Sequence, residues 1–559
     1  MGAVFIAVLA AGCSGGGGGT SATPPVGGVQ PNKGTASVTF TMHWGTGTSS
    51  AKRSPRYVPA TARSVSVSVN GGTPQYLNAP ATTIVIDAPV GTDTFVFQTY
   101  DDQNGQGNVL SRASVTQTVV LGAANSVTAV LNGVVASVAI SLSNSAPNAG
   151  VPATVNVNVA ARDADGNTIV GPGDYSVPIH LAINDSTSSG TLSLSTNNLP
   201  NPATTATLTY NGGTLNSGLP GGPTATVVAS GTGISTTSAA FTPKPTFYQF
   251  SIPVSANKPQ YIAAGSDGNM WFTENPGNAI ARITPAGVVT EFAIPTANTA
   301  ANHIIGASDG NLWFTESANA PPPGSDKIAK STTSGSITEF STLFAPPPHD
   351  SPFGLVDRLD GNIWYVGNGS SRVGRVSYNG SLAAETSIPT ASSGPWGIAT
   401  SPDNLLYYTE SNTDKIGRIN DVFSPQSEIT LTAGTIPHDI VRGPDGNLWF
   451  TEFGRGNIGR VSPNSFSVTG EFPTLTPLAG PDGITVGQDG ALWFTEPGGP
   501  GDLPQDKVGR ITTGGTVVEF TSPVTGLGLK GIATAPDGSL WFCEPGIGLN
   551  PGRVGKLVY

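Results

Sequence analysis

From residue 246 onward, short apolar runs alternate with polar turns, and the alternation itself repeats. One phrase recurs seven times: an apolar run, Asp-Gly, a run close to Asn-Leu-Trp-Phe-Thr-Glu, a loop, Ile-Gly-Arg-Ile, a turn, and Glu-Phe-x-Ile-Pro. Its marker aspartates are Asp267, Asp309, Asp360, Asp403, Asp445, Asp489 and Asp537, spaced roughly 42–51 residues apart. Four short apolar runs in a period of this length predict a β-propeller with one four-stranded blade per repeat. No stretch sustains a helical period, so the chain reads as all-β.

The ends of the repeat region carry a second prediction. Phe247-Tyr248-Gln249-Phe250-Ser251-Ile252-Pro253 matches the final strand of a repeat, as in Glu291-Phe292-Ala293-Ile294-Pro295, yet precedes the first complete repeat. The chain ends at Lys556-Leu557-Val558-Tyr559, just after the third strand of the seventh. The early strand therefore completes the last blade, and residues 246–559 read as a closed seven-bladed ring without open sheet edges.

Ahead of the ring, period-2 runs such as Ser64-Val65-Ser66-Val67-Ser68-Val69, Thr94-Phe95-Val96-Phe97 and Ser126-Val127-Thr128-Ala129-Val130-Leu131 predict a β-sandwich over 34–133. A second set over 134–243 predicts an immunoglobulin-like β-sandwich. Asp163-Ala164-Asp165-Gly166-Asn167 reads as a turn between its strands, with too few acidic residues following for a calcium loop.

Composition changes the picture in three ways. The chain has 73 Gly, 47 Pro and only 11% charged residues, as many tight turns require, and its net charge of −11 excludes a nucleic-acid partner. Two cysteines exclude a disulfide framework. Cys543 stands where other repeats have Thr and reads as a buried small side chain. Cys13 ends Leu9-Ala10-Ala11-Gly12-Cys13 after an apolar run, which resembles a bacterial lipoprotein signal over 1–13, with lipid on the Cys13 sulfur. Residues 14–33 then read as a flexible linker. The expectation is a monomer in the bacterial cell envelope, extracytoplasmic, touching the membrane only through that lipid. Ser14 favours the outer membrane under the usual sorting rule.

Within a repeat, the tryptophans Trp271, Trp313, Trp364, Trp449, Trp493 and Trp541, with Tyr407 in their slot in repeat four, read as packing between blades. The third-strand cations, from Arg282 to Lys556, read as partners of nearby carboxylates or carbonyls. Two positions face the mouth of the channel by chain topology. Seven residues before each marker lie Gln260, Asn302, Phe353, Trp396, His438, Asp482 and Lys530. At the end of strand two lie Glu274, Glu316, Gly367, Glu410, Glu452, Glu496 and Glu544, which predicts a mouth ringed by six carboxylates. The first set varies from blade to blade, and variation at one slot of a repeated scaffold is where specific binding is built.

The repeated W-F-T-E, I-G-R-I and E-F-x-I-P phrases resemble the streptogramin B lyases (virginiamycin B lyases) over about residues 246–559. The resemblance implies a magnesium-assisted elimination that opens a cyclic depsipeptide at its ester bond. It implies Pro-His in the slot of blade six, Glu-Pro-His in that of blade seven, and a glutamate near the end of strand two of blade seven. Here blade six reads Gly480-Pro481-Asp482, blade seven reads Gly528-Leu529-Lys530, and of the set only Glu544 remains. Aspartate is ordinarily too weak a base and lysine ordinarily protonated, so the implied reaction loses its acid–base groups.

Pro437-His438-Asp439-Ile440 places a Pro-His one blade away. His438, Asp482 and Lys530 then form a candidate catalytic group, and Glu452, Glu496 and Glu544 candidate ligands for Mg²⁺, the one cofactor the resemblance suggests. The alternative for His438 is a rim histidine bonded to a neighbouring loop. Two functions stay open: a lipid-anchored module gripping an extracellular small molecule, peptide or glycan at the mouth, or a carbon–oxygen lyase with His438 as base.

Overall fold

The computed structural model describes residues 34–42, 61–123, 125, 127, 129, 131–170, 174–185, 190–213, 225–254, 257–318, 326–342, 350–420, 427–498, 506–524, 526–547 and 550–559. Cys13 and the linker, His43 and His349 lie outside them. The described residues form two compact units, one ending at 242 and one built mainly of residues from 243 onward. None of their helices is long and apolar enough to cross a membrane.

The first unit is two pairs of antiparallel sheets. Thr35–Thr41 pairs with Thr83–Pro89, facing a five-stranded sheet that includes Ser64–Val69, Gly91–Tyr100 and Val109–Val119. Alternate residues turn inward, so Val38, Phe40, Val65, Val67, Phe95 and Phe97 share one core. Val127, Ala129 and Leu131 belong to that core with their period of two intact, although the described part of 126–131 forms no ladder. The other pair sets Ile179–Asp185 and Ala225–Gly231 in one sheet and Ala153–Arg162 and Ala206–Tyr210 in the other, with Tyr210 and Phe241 edge to face at 5.6 Å.

The second unit contains seven four-stranded antiparallel sheets. Blade one runs Pro259–Ala264, Met270–Glu274, Ala279–Ile283 and Val289–Ala293. Blades two to six repeat it, their first strands starting at Thr299, Pro352, Pro395, Pro437 and Ile484. Blade seven takes Ile532–Thr534, Leu540–Glu544 and Arg553–Val558, and its outer strand is Thr246–Ser251, paired from Thr246↔Val558 to Ser251↔Arg553. The early strand thus closes the ring, and Phe250 stacks on Trp541 at 5.3 Å as Phe292 stacks on Trp271 at 5.2 Å.

Each repeated letter has a local cause. The marker aspartate caps its turn and, in five blades, accepts the indole N–H of the same blade, as between Asp445 and Trp449 (3.0 Å), whereas Trp541 in blade seven donates to Ser539. The third-strand cation lies over that indole and reaches the next blade: Arg460 sits 5.3 Å from the Trp449 ring and donates to the Thr513 carbonyl at 3.1 Å. The Gly of Ile-Gly-Arg makes room for a ring of strand two, since a Cβ on Gly459 would come within 2.2 Å of Phe450.

The Thr of W-F-T-E stitches blades together beside the channel. In blade five, Thr451 Oγ1 accepts the Asp439 N–H (3.0 Å) and donates to the Asp482 carbonyl of blade six (2.8 Å). Thr273, Thr315, Thr409 and Thr495 make the same relay to Asn302, Phe353, His438 and Lys530. Two blades lack the hydroxyl. Val366 holds the place in blade three, where Asn368 Nδ2 reaches the Pro395 carbonyl instead (3.1 Å). In blade seven, buried Cys543 leaves the link to blade one to the backbone, Gly531 N–H to Gln260 O at 2.9 Å.

Replacing Thr451 by Val preserves shape but leaves a buried N–H and a buried C=O unpaired, at a cost of about 1–3 kcal/mol. Thr451→Val is expected to lower the propeller's unfolding midpoint in a denaturant titration, while Thr290→Val on an outer strand leaves it in place. An unchanged Thr451→Val midpoint would show that the relay does not hold the blades.

Candidate functional site

The slot residues are held where the Thr relay aims them, at the start of strand one beside the channel. Five of them meet. The Phe353 and Trp396 rings lie 4.1 Å apart, Trp396 stacks on His438 at 4.4 Å, and His438 stacks on Phe453 of the neighbouring loop at 4.4 Å. His438 Nδ1 lies 3.2 Å from Asp482 Oδ1, and Lys530 Nζ lies 2.9 Å from Asp482 Oδ2. A partly exposed aromatic strip therefore runs along one side of the mouth into a His–Asp–Lys group.

Tyr261, one residue beyond its slot, ties this arrangement across the channel. Its hydroxyl accepts the Trp396 indole N–H (3.0 Å) and donates to Asp482 (3.4 Å). Its ring packs on His303 at 4.7 Å and Phe353 at 5.5 Å. A Cβ on Gly531 would touch it at 2.7 Å. One side chain of blade one thus contacts blades two, three, four, six and seven, and at 5% exposure it fills the channel beneath the mouth. The position after the slot is Gly in blades three, four, six and seven, and Tyr261, His303 and Asp439 in the others. That contrast was the available signal for Tyr261. Phe453 lies in a loop outside the repeated phrase and offered none.

Electrostatics follow from this packing. Asp482 is fully buried, which by itself would raise its pKa, but the Lys530 ammonium and the His438 contact hold it well below the usual carboxylate range. Asp482 in turn pushes Lys530 upward. Burial, with Asp482 and Asp439 nearby, drives the Tyr261 phenol far above its ordinary value. Burial lowers His303 to about 4 and raises Asp439 to about 7, the latter against backbone N–H bonds from Ile484 and Ile440. His438 turns Nδ1 to Asp482, and its Nε2 has no partner among the described residues.

Two slot residues stand apart from this group. Asn302 turns to Ser317 (2.8 Å), and the Gln260 amide makes only a long contact with the Lys258 carbonyl (3.3 Å). The expected ring of mouth carboxylates is corrected. Glu274, Glu316, Glu410, Glu452, Glu496 and Glu544 are all fully buried inside their blades. Glu274 pairs with Pro259 and Ala279 at the strand ends, and its carboxyl turns into the blade, near Glu291 of the outer strand. In blade seven the outer strand supplies Gln249, which donates to Glu544 at 2.9 Å. In blade three Gly367 leaves a space that the Asp350 carboxyl fills.

Glu452, Glu496 and Glu544 thus sit in three separate blades, with Asn457 and Gln249 beside the first and last. Among the described residues no three His, Cys, Asp or Glu side chains gather as a metal would require. Asp482, the fully ionised carboxylate at the mouth, has an ammonium at 2.9 Å, where a divalent cation would be repelled. This donor set does not fit Mg²⁺.

Seven four-stranded blades around a channel with a variable, aromatic-lined mouth define a seven-bladed β-propeller. The chain belongs to the Virginiamycin B lyase family, whose sequence profile matches residues 236–384 and 343–557. It is similar to a streptogramin B lyase structure, 32% identical over 56% of this chain and 97% of that one, with a TM-score of 0.49. It is also similar to virginiamycin B lyase from Staphylococcus aureus. The selenomethionine-substituted form is 30% identical over 56% of this chain and 100% of the other, with a TM-score of 0.49. A catalytically inactive variant with quinupristin has the same identity (30%) and coverage (56% and 100%) and a TM-score of 0.50. No curated protein sequence matches the chain.

Two measurements probe this electrostatic layout. Burial, with the outer-strand glutamates adding to it, raises Glu316 and Glu496 to about 8; burial raises Glu274, Glu410, Glu452 and Glu544 to about 7. A raised carboxyl favours the fold most when protonated, so stability is greatest below the ordinary carboxylate range and falls as pH climbs through 7–8. Glu339, Glu428 and Glu519 are lowered and titrate below that window. The melting temperature is expected to be higher at pH 5.5 than at pH 8.5, with a smaller difference in Glu316→Gln/Glu496→Gln; a flat profile would refute the buried neutral carboxyls. Second, Lys530→Met should raise the Asp482 pKa, read from its ¹³C carboxyl titration. The variant should lose stability at neutral pH, a deficit that shrinks in acid.

Proposed function

We propose that the propeller grips a small extracellular ligand against the aromatic strip at its mouth, and that holding the ligand is its task. The observation that carries this reading is the Lys530–Asp482 ion pair at 2.9 Å. It occupies the two slots where the family pattern implies histidines. A base must be free to take a proton near working pH. Asp482 has its charge engaged by Lys530 and His438, and Lys530 is held protonated by Asp482. Beside this neutralised pair, the half-buried rings of Phe353, Trp396 and Phe453 offer an apolar surface next to a few polar atoms, the usual makeup of a small-molecule site. Peptide, glycan and cyclic ester all fit that description. Lipid on Cys13 would tether the chain to the outside of the bacterial envelope.

One observation favours a second reading, a surviving carbon–oxygen lyase. His438 is oriented through Nδ1 by a buried carboxylate, which leaves Nε2 without a partner among the described residues. The quinupristin-bound relative makes that compound the first probe for both readings.

Binding read by calorimetry, or on peptide and glycan arrays, is expected to fall at least tenfold in Trp396→Ala and to persist in His438→Ala with no chemical change in the ligand. Ring opening of quinupristin that disappears in His438→Ala would establish the lyase instead. Binding indifferent to Trp396→Ala would remove the mouth as the site.

A further inference from the structure

The mouth is chemically lopsided. Asp482 already receives Tyr261, His438 and Lys530, so its carboxylate has little capacity left for a ligand. Lys530 carries three N–H donors and spends one on Asp482; it has no other partner among the described residues, and its side chain is 32% exposed. The unspent polar capacity beside the His–Asp pair therefore includes two donors on a fixed cation.

Exposed apolar side chains stand on the mouth-face loops of the same sector. Seven large hydrophobic side chains of the propeller are exposed among the described residues: Val254, Val288, Leu359, Ile436, Leu475, Leu478 and Ile547. Val288 and Leu359 sit in turns on the opposite face. The other five lie on mouth-face loops, and all but Val254 flank blades five to seven, the sector of His438, Asp482 and Lys530. Neighbour relations bring them toward the strip. Phe453, stacked on His438, lies against Gly480, Ile436 lies against Gly454, and Ile547 against Gly528.

The backbone holds two of these residues at a conformational cost. Ile436 has φ of +45° and Leu478 φ of +56°, a region unfavourable to both and especially to a β-branched residue. The Asp414 carboxylate clamps the first by accepting the N–H groups of Gly434 (2.8 Å) and Ile436 (2.7 Å). The same loop positions take positive φ at Asn298, Ser351 and Ser392 in other blades, so the backbone sets these positions and the sequence here places exposed apolar side chains on them beside the mouth.

We propose that the ligand is an apolar molecule bearing a carboxylate, the carboxylate meeting Lys530 and the apolar body lying on Phe453 and the Ile436–Leu478–Ile547 rim. This rests on the mouth being a binding site, and narrows what it binds. The methyl ester keeps a carbonyl acceptor for Lys530 but loses the charge, and a charge-assisted hydrogen bond is about twice as strong as a neutral one.

The test titrates the full chain calorimetrically at pH 7 with 4-phenylbutanoate and with its methyl ester. The acid is expected to bind at least tenfold more tightly. Lys530→Arg should keep that preference and Lys530→Met abolish it, while Ile436→Ser/Leu478→Ser weakens both probes alike. Equal affinity of the wild-type chain for acid and ester needs no variant to interpret and overturns the proposal, as does a preference that survives Lys530→Met. Failure of both probes, where another ligand binds in a Trp396-dependent way, also overturns it and leaves the binding mouth standing. Only loss of all Trp396-dependent binding removes the reading beneath it.

Discussion

The pairing of Thr246–Ser251 with Arg553–Val558 is the constraint on which the propeller depends. Seven sheets with an unpaired strand between first and last would expose a template for aggregation and leave the ring free to open. Joined by a strand from the other end of the repeat region, they form a closed circle, and seven strand-one starts must converge on one channel. The Thr hydroxyls then set how closely neighbouring starts approach, because each bonds its own strand and the next blade's slot carbonyl. Where the hydroxyl is missing, at Val366 and Cys543, another group makes the link, so the inter-blade bond persists when its residue does not.

Two kinds of buried carboxyl coexist in this ring, and their surroundings divide the labour. The strand-two glutamates lie among apolar strands, mostly beside a second glutamate, and are driven toward the neutral form. Asp482 is as deeply buried but faces an ammonium and an imidazole and is driven the other way. The first group couples folding to pH. The second places a fixed ion pair at the mouth, with Tyr261 locking both Trp396 and Asp482 from across the channel. The slots of blades six and seven thus hold a neutralised pair.

Much of this was legible in the residues, for a physical reason in each case. Asp-Gly reports a turn, W-F-T-E a strand flanked by blades, and the orphan strand at 246 the closure, because each is a local demand repeated seven times. The slots were legible as a set, since chain direction alone assigns them to one face. Side-chain reach within that face was not. Asn302 turns back to its own loop, while Tyr261, one position off the slot, spans the channel. The glutamates misled because their regularity matched a rim as well as a core. Their side chains turn into the blade beside the outer strand, a choice the repeated letters do not record.

The sequence by itself determined an all-β chain, a seven-fold ring closed by its own early strand, and the blade-to-blade variation at the mouth. Periodicity is written in consecutive residues, and closure follows from counting strands. Only the tertiary structure decided that Asp482 meets Lys530 and His438, that six glutamates lie inside the blades, and that Tyr261 fills the channel. Those contacts join residues far apart in the chain, 221 positions between Tyr261 and Asp482 and 295 between Gln249 and Glu544, and their geometry exists only once the ring has closed.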